Sequence, residues 1–187
     1  VEYLAYRQAK NMANGYNQAM KDSSAKYKVY LHQDTFIINQ DLIKDVIKVF
    51  NDHPETGLLG VIGCQTLPKD GVWWHAETKF GKVLESREVF RILDHDDFEG
   101  DLAEAEAMDG LIMITQYDLP WREDILDGWH FYDIIQSLEF QRNGYKCCIV
   151  KQKNPWCLHY CGETTNFDGY EHYQNVVLKR YLSESSK

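Results

Sequence analysis

Positive charge is in short supply: 20 Lys and Arg stand against 29 Asp and Glu in 187 residues, a formal charge of −9. A surface so biased has no long-range attraction for a phosphate backbone or an anionic membrane, which argues against nucleic acid as a partner. Long apolar runs are missing too. None approaches the roughly 20 residues that cross a bilayer. The N-terminus also lacks the basic region, apolar core and small-residue cleavage site of a secretion signal, so the expected location is the cytoplasm. Prolines number only four, and there is no Pro- or Gly-rich linker, internal repeat or low-complexity tract to mark a boundary. With 44% apolar and 13% aromatic composition, residues 1–187 are expected to form a single domain. Five cysteines, an odd number, do not make a disulfide framework and are read as buried thiols.

What is present is an alternation of helical and strand-like segments. Val1, Leu4, Ala5, Ala9, Met12, Ala13, Tyr16 and Met20 recur at three- and four-residue spacing, which predicts a helix over residues 1–22. Tyr27 to Leu31 read as a strand. Asn39 is a candidate N-cap for a second helix with Leu42, Ile43, Val46, Ile47 and Phe50 on one side. The run "GLLGVIGC" from Gly57 to Cys64 predicts one strand covered on both faces. Residues from Trp73 to Ile92 suggest a hairpin around Phe80-Gly81. Between Asp94 and Glu106 lie seven carboxylates and no Lys or Arg, a solvated loop by the usual reading of such a block, with a metal or substrate lid as the alternative. Met108 to Tyr117 return to strand character, a helix follows up to Asn143-Gly144, Tyr145 to Val150 form a strand, and Tyr170 to Leu182 a closing helix. This rhythm predicts an α/β fold.

Ligands of an open α/β sheet sit beyond the carboxyl ends of its strands, and His32, Gln33 and Asp34 interrupt the apolar pattern at such an end. A carboxylate there can ligate Mg²⁺ or Mn²⁺ and, through the cation, a diphosphate. Equally, Asp34 can cap a turn and His32 be a core histidine. Asp133 lies among apolar helix neighbours, where it either faces a cleft and takes protons from a hydroxyl or serves as an ordinary first-turn acid; Glu139 and Asp124 compete for the proton-accepting role, Glu139 reading more as an exposed helix residue. Cys157, His159 and Cys161 alternate, which invites a zinc site but supplies no second CxxC; His159 as a ligand beside Asp34 is the other option. Trp74 and Trp129 read equally well as core or as flat platforms for a sugar, and Trp121 and Trp156 as core.

The blocks "GYNQAM" (15–20), "YLHQDTFI" (30–37), "MDGLIMITQYDLPW" (108–121), "GWHFYDIIQSLEFQRNGYK" (128–146) and "PWCLH" (155–159) resemble, in order and spacing, the family-2-type glycosyltransferases of the GT-A fold, in the branch of the streptomycin biosynthesis StrF-like proteins. The resemblance implies a GT-A-like three-layer sandwich with a central mixed, mostly parallel sheet. It also implies that the chain starts after the family's first strand, helix and strand. By the same resemblance Asp34 and His159 would bind Mn²⁺ or Mg²⁺, Asp133 would be the catalytic base of an inverting transfer from a nucleotide-sugar donor to a saccharide or other hydroxyl acceptor, and histidine replaces the usual first acid at His32. The expected substrate-binding set is His32, Gln33, Asp109, Gly110 and His130 from these blocks, with Trp74 and Trp129 as the sugar platforms. A non-catalytic carbohydrate-binding or scaffold remnant of the fold is the alternative function.

Overall fold

The computed structural model describes residues 1–162 and 166–183. In chain order its elements are α1 (Met12–Asp22), β1 (Lys28–Leu31), β2 (Thr35–Ile37), α2 (Leu42–Asp52), β3 (Thr56–Gly60), β4 (Ile62–Cys64), β5 (Lys79–Ser86), β6 (Phe90–Asp94), β7 (Leu102–Glu104), β8 (Ala107–Met108), β9 (Ile112–Thr115), α3 (Tyr132–Arg142), β10 (Lys146–Val150), β11 (Cys157–Tyr160) and α4 (Tyr170–Val177). The expected α/β class holds. Among the described residues, no helix is long and apolar enough to cross a membrane.

Two mixed sheets carry the fold. One runs β1-β9-β3-β10-β7 and the other β2-β11-β5-β4-β8, with β6 also pairing β5 off that path. The expected mostly parallel order is not found: β3–β10 is the parallel ladder of the first sheet and β11–β5 that of the second, and the other ladders are antiparallel. The misreading has a physical cause. β9 lies between β1 and β3 and is buried along its whole length, so its continuous apolar run looks like that of a parallel strand.

Local chemistry sets the element ends, and several differ from the sequence expectation. The first helix starts only at Met12, because the Asn11 carboxamide accepts the Asn14 N–H at 2.7 Å and ends the helical register there. Val1, Tyr3 and Leu4 are exposed, so the apolar spacing before Asn11 has no surface to cover. Asn39 does not cap α2 directly. Its side chain accepts the Asp41 N–H and donates to Asp45 in the turn before the helix, and Asp41 holds the N-cap position. α2 buries Leu42, Val46, Val49 and Phe50, whereas Ile43 and Ile47 face solvent.

The run 57–64 is two strands. It breaks at Val61, where the chain crosses from β3 in one sheet to β4 in the other. Similarly, 108–117 is split into β8 and β9 by the turn at Asp109-Gly110. The hairpin lies at β5–β6, with its turn after Ser86 rather than at Phe80-Gly81. The acidic run is partly ordered into strands: Lys82, Lys151, Lys48 and Lys146, brought from other elements, pair with Asp94, Asp97, Asp101 and Glu104. α3 ends as its sequence predicts, with Gly144 at a φ of 83° just past the Asn143 cap.

α3 packs on β8, β10 and β3. An aromatic cluster anchors its start: the Tyr16 ring lies 4.7 Å from Trp121, Trp121 lies 5.0 Å from Tyr30, and Tyr132, the first residue of α3, packs against Tyr16 at 5.9 Å. Trp121 and Trp156 are core, as read from the sequence. The cysteines are free thiols, four of them buried.

Candidate active site

At the carboxyl end of β1 the chain turns through His32, Gln33 and Asp34 into β2. The His32 N–H donates to the Leu111 carbonyl at 3.1 Å, and the Thr35 N–H closes the turn on the His32 carbonyl. This pins His32 beside the β8–β9 turn. Its Nδ1 lies 2.7 Å from Asp34 Oδ1; since a carboxylate only accepts, Nδ1 donates and Nε2 is the nitrogen left for a ligand. Burial alone would lower the His32 pKa, but the hydrogen bond and charge of Asp34, with Asp109 and Asp133 behind it, raise it above the usual imidazole value. Burial pushes the Asp34 carboxyl up, yet His32 and His159 more than offset this and hold it below the usual carboxylate value.

β11 delivers His159 to the same place. Pairing with β2 sets His159 opposite Thr35, with Nε2 3.6 Å from Asp34 Oδ2. The ligand atoms of His32, Asp34 and His159 lie within 4.8 Å of one another. Two imidazoles and one carboxylate suit a first-row divalent ion such as Mn²⁺ better than Mg²⁺, which prefers an all-oxygen shell. His159 also meets a second group, Cys161, its partner in the alternating triplet, and Glu85, which the sequence did not bring to it. Cys157 is fully buried and is not in either group, so the alternating Cys157-His159-Cys161 triplet does not converge.

Asp133 enters from α3. The residue before that helix, Phe131, has a φ of 60°, a left-handed conformation that a bulky side chain adopts at a cost of roughly 1 kcal/mol and that is found where function constrains a backbone. The turn it makes sends Tyr132 towards the core and Asp133 towards the β8–β9 turn. There Asp133 Oδ2 accepts the Gly110 N–H at 2.9 Å and Oδ1 the Ile134 N–H at 2.8 Å. Gly110 has to be glycine: a Cβ on it would lie 2.1 Å from the Tyr132 hydroxyl. Burial, and then the charge of Asp109, push the Asp133 carboxyl up to about 7 despite the two N–H donors. A carboxylate with that poise exchanges protons at neutral pH.

A cleft of about 190 Å³ joins these groups. His32, Asp109, Asp133 and His159 line it with Trp74, Trp129 and His130. Gly110 stands just behind Asp133, and Asp34 behind the two imidazoles. Trp74 and Trp129 are 46% and 51% exposed, so both rings are presented to solvent at the cleft rather than used as core. Burial lowers the His130 pKa. Gln33 departs from expectation: it is exposed at the middle of the turn that the Thr35 N–H closes on the His32 carbonyl, and does not line the cleft. Glu139 and Asp124 also lie elsewhere. Arg122 holds both, and Glu139 is largely covered rather than exposed, accepting from the Tyr181 hydroxyl as well.

Sequence reasoning missed Tyr170, whose ring packs 6.2 Å from Trp74 and 5.5 Å from His130. Nothing in its local pattern distinguishes it from a core residue of a closing helix. A larger groove of about 540 Å³ runs between α2 and residues 150–156, but it shares no lining residue with the cleft, and its Lys48 and Lys151 are paired with acids.

Comparison with known proteins bears on this geometry. The comparison with curated proteins found no match. A family model described as a glycosyltransferase-like family matches residues 1–181. Because that match runs over almost the whole chain, the molecule belongs to the glycosyltransferase-like family, and glycosyl transfer is the chemistry its cleft has to be read against.

Proposed function

We propose that this chain moves a sugar from a nucleotide-sugar donor to an acceptor hydroxyl with inversion at the anomeric carbon, and that Asp133 is its base. The observation that carries the reading is the position of Asp133: a half-buried carboxylate poised at about 7 that lines the same cleft as His32 and His159. The acceptor oxygen attacks the anomeric carbon, its proton passes to Asp133, and the bond from that carbon to the nucleoside diphosphate breaks. Trp74 and Trp129 stack on the apolar face of a pyranose, and Asp109 and His130 accept from or donate to its hydroxyls. His32, Asp34 and His159 would hold a divalent cation, Mn²⁺ before Mg²⁺. Bound there, the cation supplies charge neutralisation for the departing diphosphate.

On the resemblance of the five sequence blocks, the same reading takes residues 1–187 as one domain of the GT-A type in the StrF-like branch. Thermal unfolding with and without Mn²⁺, across UDP-, GDP- and dTDP-sugars, tests donor binding by mass action. One nucleotide-sugar is expected to raise the midpoint with Mn²⁺ and to lose that effect in Asp34→Ala. No shift with any donor from a folded sample would instead favour the non-catalytic remnant. Transfer by Asp133→Asn is expected to fall by about 10²–10⁴-fold with the fold intact. Unchanged turnover would remove Asp133 from the role of base.

A further inference from the structure

The second sheet has two faces of opposite character. Its inner face carries Thr35, Cys157, Val83 and Glu85 into the protein, all buried, together with His159. The outer face follows from the register: Phe36 stands opposite Leu158, Leu158 opposite Leu84, and Leu84 opposite Ile92, a row of four apolar side chains across β2, β11, β5 and β6. One step along the strands, Tyr160 and Phe90 flank Ser86 on the same face. Strands alternate, so all of these point away from the core. Phe36 is 55% exposed, Ile92 56%, Tyr160 57% and Phe90 68%. Solvated sheet faces ordinarily carry polar side chains at these positions.

We propose that this outer face is the contact between two copies of the chain, packed sheet on sheet about a two-fold axis. The area fits that occupant. Taking about 200 Å² for each large side chain, Phe36, Ile92, Tyr160 and Phe90 alone expose roughly 450 Å² per copy. Two copies with Leu84, Leu158 and a polar rim then reach the ~1,200 Å² at which specific interfaces begin. The charges fit it too. No charged side chain lies in the middle of the face, so an isologous contact buries no charge at its centre. Beyond the Leu84 row the face ends at the Lys82–Asp94 ion pair, and past Ser86 it ends at the turn carrying Arg87 and Glu88. Antiparallel packing sets that turn of one copy over the Lys82–Asp94 pair of the other, twice by symmetry, each end carrying both signs of charge. A lipid surface is the poorer occupant for a chain of formal charge −9.

Sedimentation equilibrium of the purified chain over a concentration series reads the outcome. The wild type is expected to give twice the chain mass, and Phe36→Glu with Ile92→Glu to weaken association by at least about tenfold. Both substituted residues are exposed, so the circular dichroism of the variant should be retained, while its unfolding midpoint should lose the concentration dependence that a dimer confers. Ile43→Glu, an exposed isoleucine on α2 outside the face, should leave the dimer intact. A monomeric wild type overturns the proposal, whether or not it floats with neutral vesicles. So does an Ile43→Glu variant that dissociates as readily as the face variant.

Discussion

At the scale of residues, Asp133 ties activity to stability through one proton. Unfolded, its carboxyl titrates near the ordinary value of about 4; folded, burial and Asp109 carry it to about 7. Between about pH 4 and about pH 7 the native state therefore holds a proton that the unfolded chain has released, and stability from this group falls as pH rises through that window. Asp133→Asn removes the titration. Urea unfolding of wild type and variant across that range should give curves that converge or cross, with the wild type losing up to about 1.4 kcal/mol per pH unit relative to the variant. Parallel curves would show that the carboxyl ionises as it does in water. Over the same range the proposed transfer should accelerate, because the base needs the ionised form. Asp133 was legible in the sequence, since an acid between Tyr132 and Ile134 contradicts an apolar helix face. Glu85 was not: only the pairing of β5 with β11 brings it to His159, and no local signal records that.

At the scale of elements, caps and turns decide where the chain changes direction. Asn11 starts α1, and its carboxamide is the group that accepts the Asn14 N–H. Asn11→Ala is expected to cost about 1 kcal/mol, read as a lower urea midpoint at unchanged slope. A loss near zero would mean that α1 is held by packing of Met12, Ala13 and Met20 alone. The sequence showed the periodicity of this helix but not its start, because Val1, Leu4 and Ala5 extend the same spacing while remaining exposed. It showed the end of α3 clearly, since Asn143-Gly144 is a stop signal that acts through local backbone geometry. The breaks at Val61 and at Asp109-Gly110 were hidden inside apolar runs. Both depend on which sheet accepts the next strand, a matter of packing rather than of propensity.

At the scale of the whole molecule, charge and layering dominate. A formal charge of −9 on a chain of this size repels itself when compact, and salt screens that repulsion. Raising ionic strength with a non-coordinating salt should raise the unfolding midpoint; a falling midpoint would mean that the lysine-acid pairs around residues 94–104 outweigh the net repulsion. The α/β class was readable because strand-like and helical periodicities alternate along the chain. Strand direction was not, since a strand buried on both faces reads alike in either sense. The cleft was readable as a set of unusual residues at element ends, His32, Asp109 and Asp133 among them, while the Tyr170 ring in its lining depends on where α4 docks.

The crossing at Val61 limits how such a chain can change its length. A single residue carries the backbone from one sheet to the other, and its carbonyl accepts both the Lys82 N–H and the Gln152 side chain. Strand faces alternate, so one inserted residue there would turn β4 over while leaving β3 as it was, and Gly63, whose missing side chain admits the backbone of Ala107, would trade faces with a bulkier neighbour. Insertions and deletions are therefore expected to accumulate in the turns that bound the hairpin and to be absent from the step between Gly60 and Ile62, a fixed point about which the two halves of the molecule diverge.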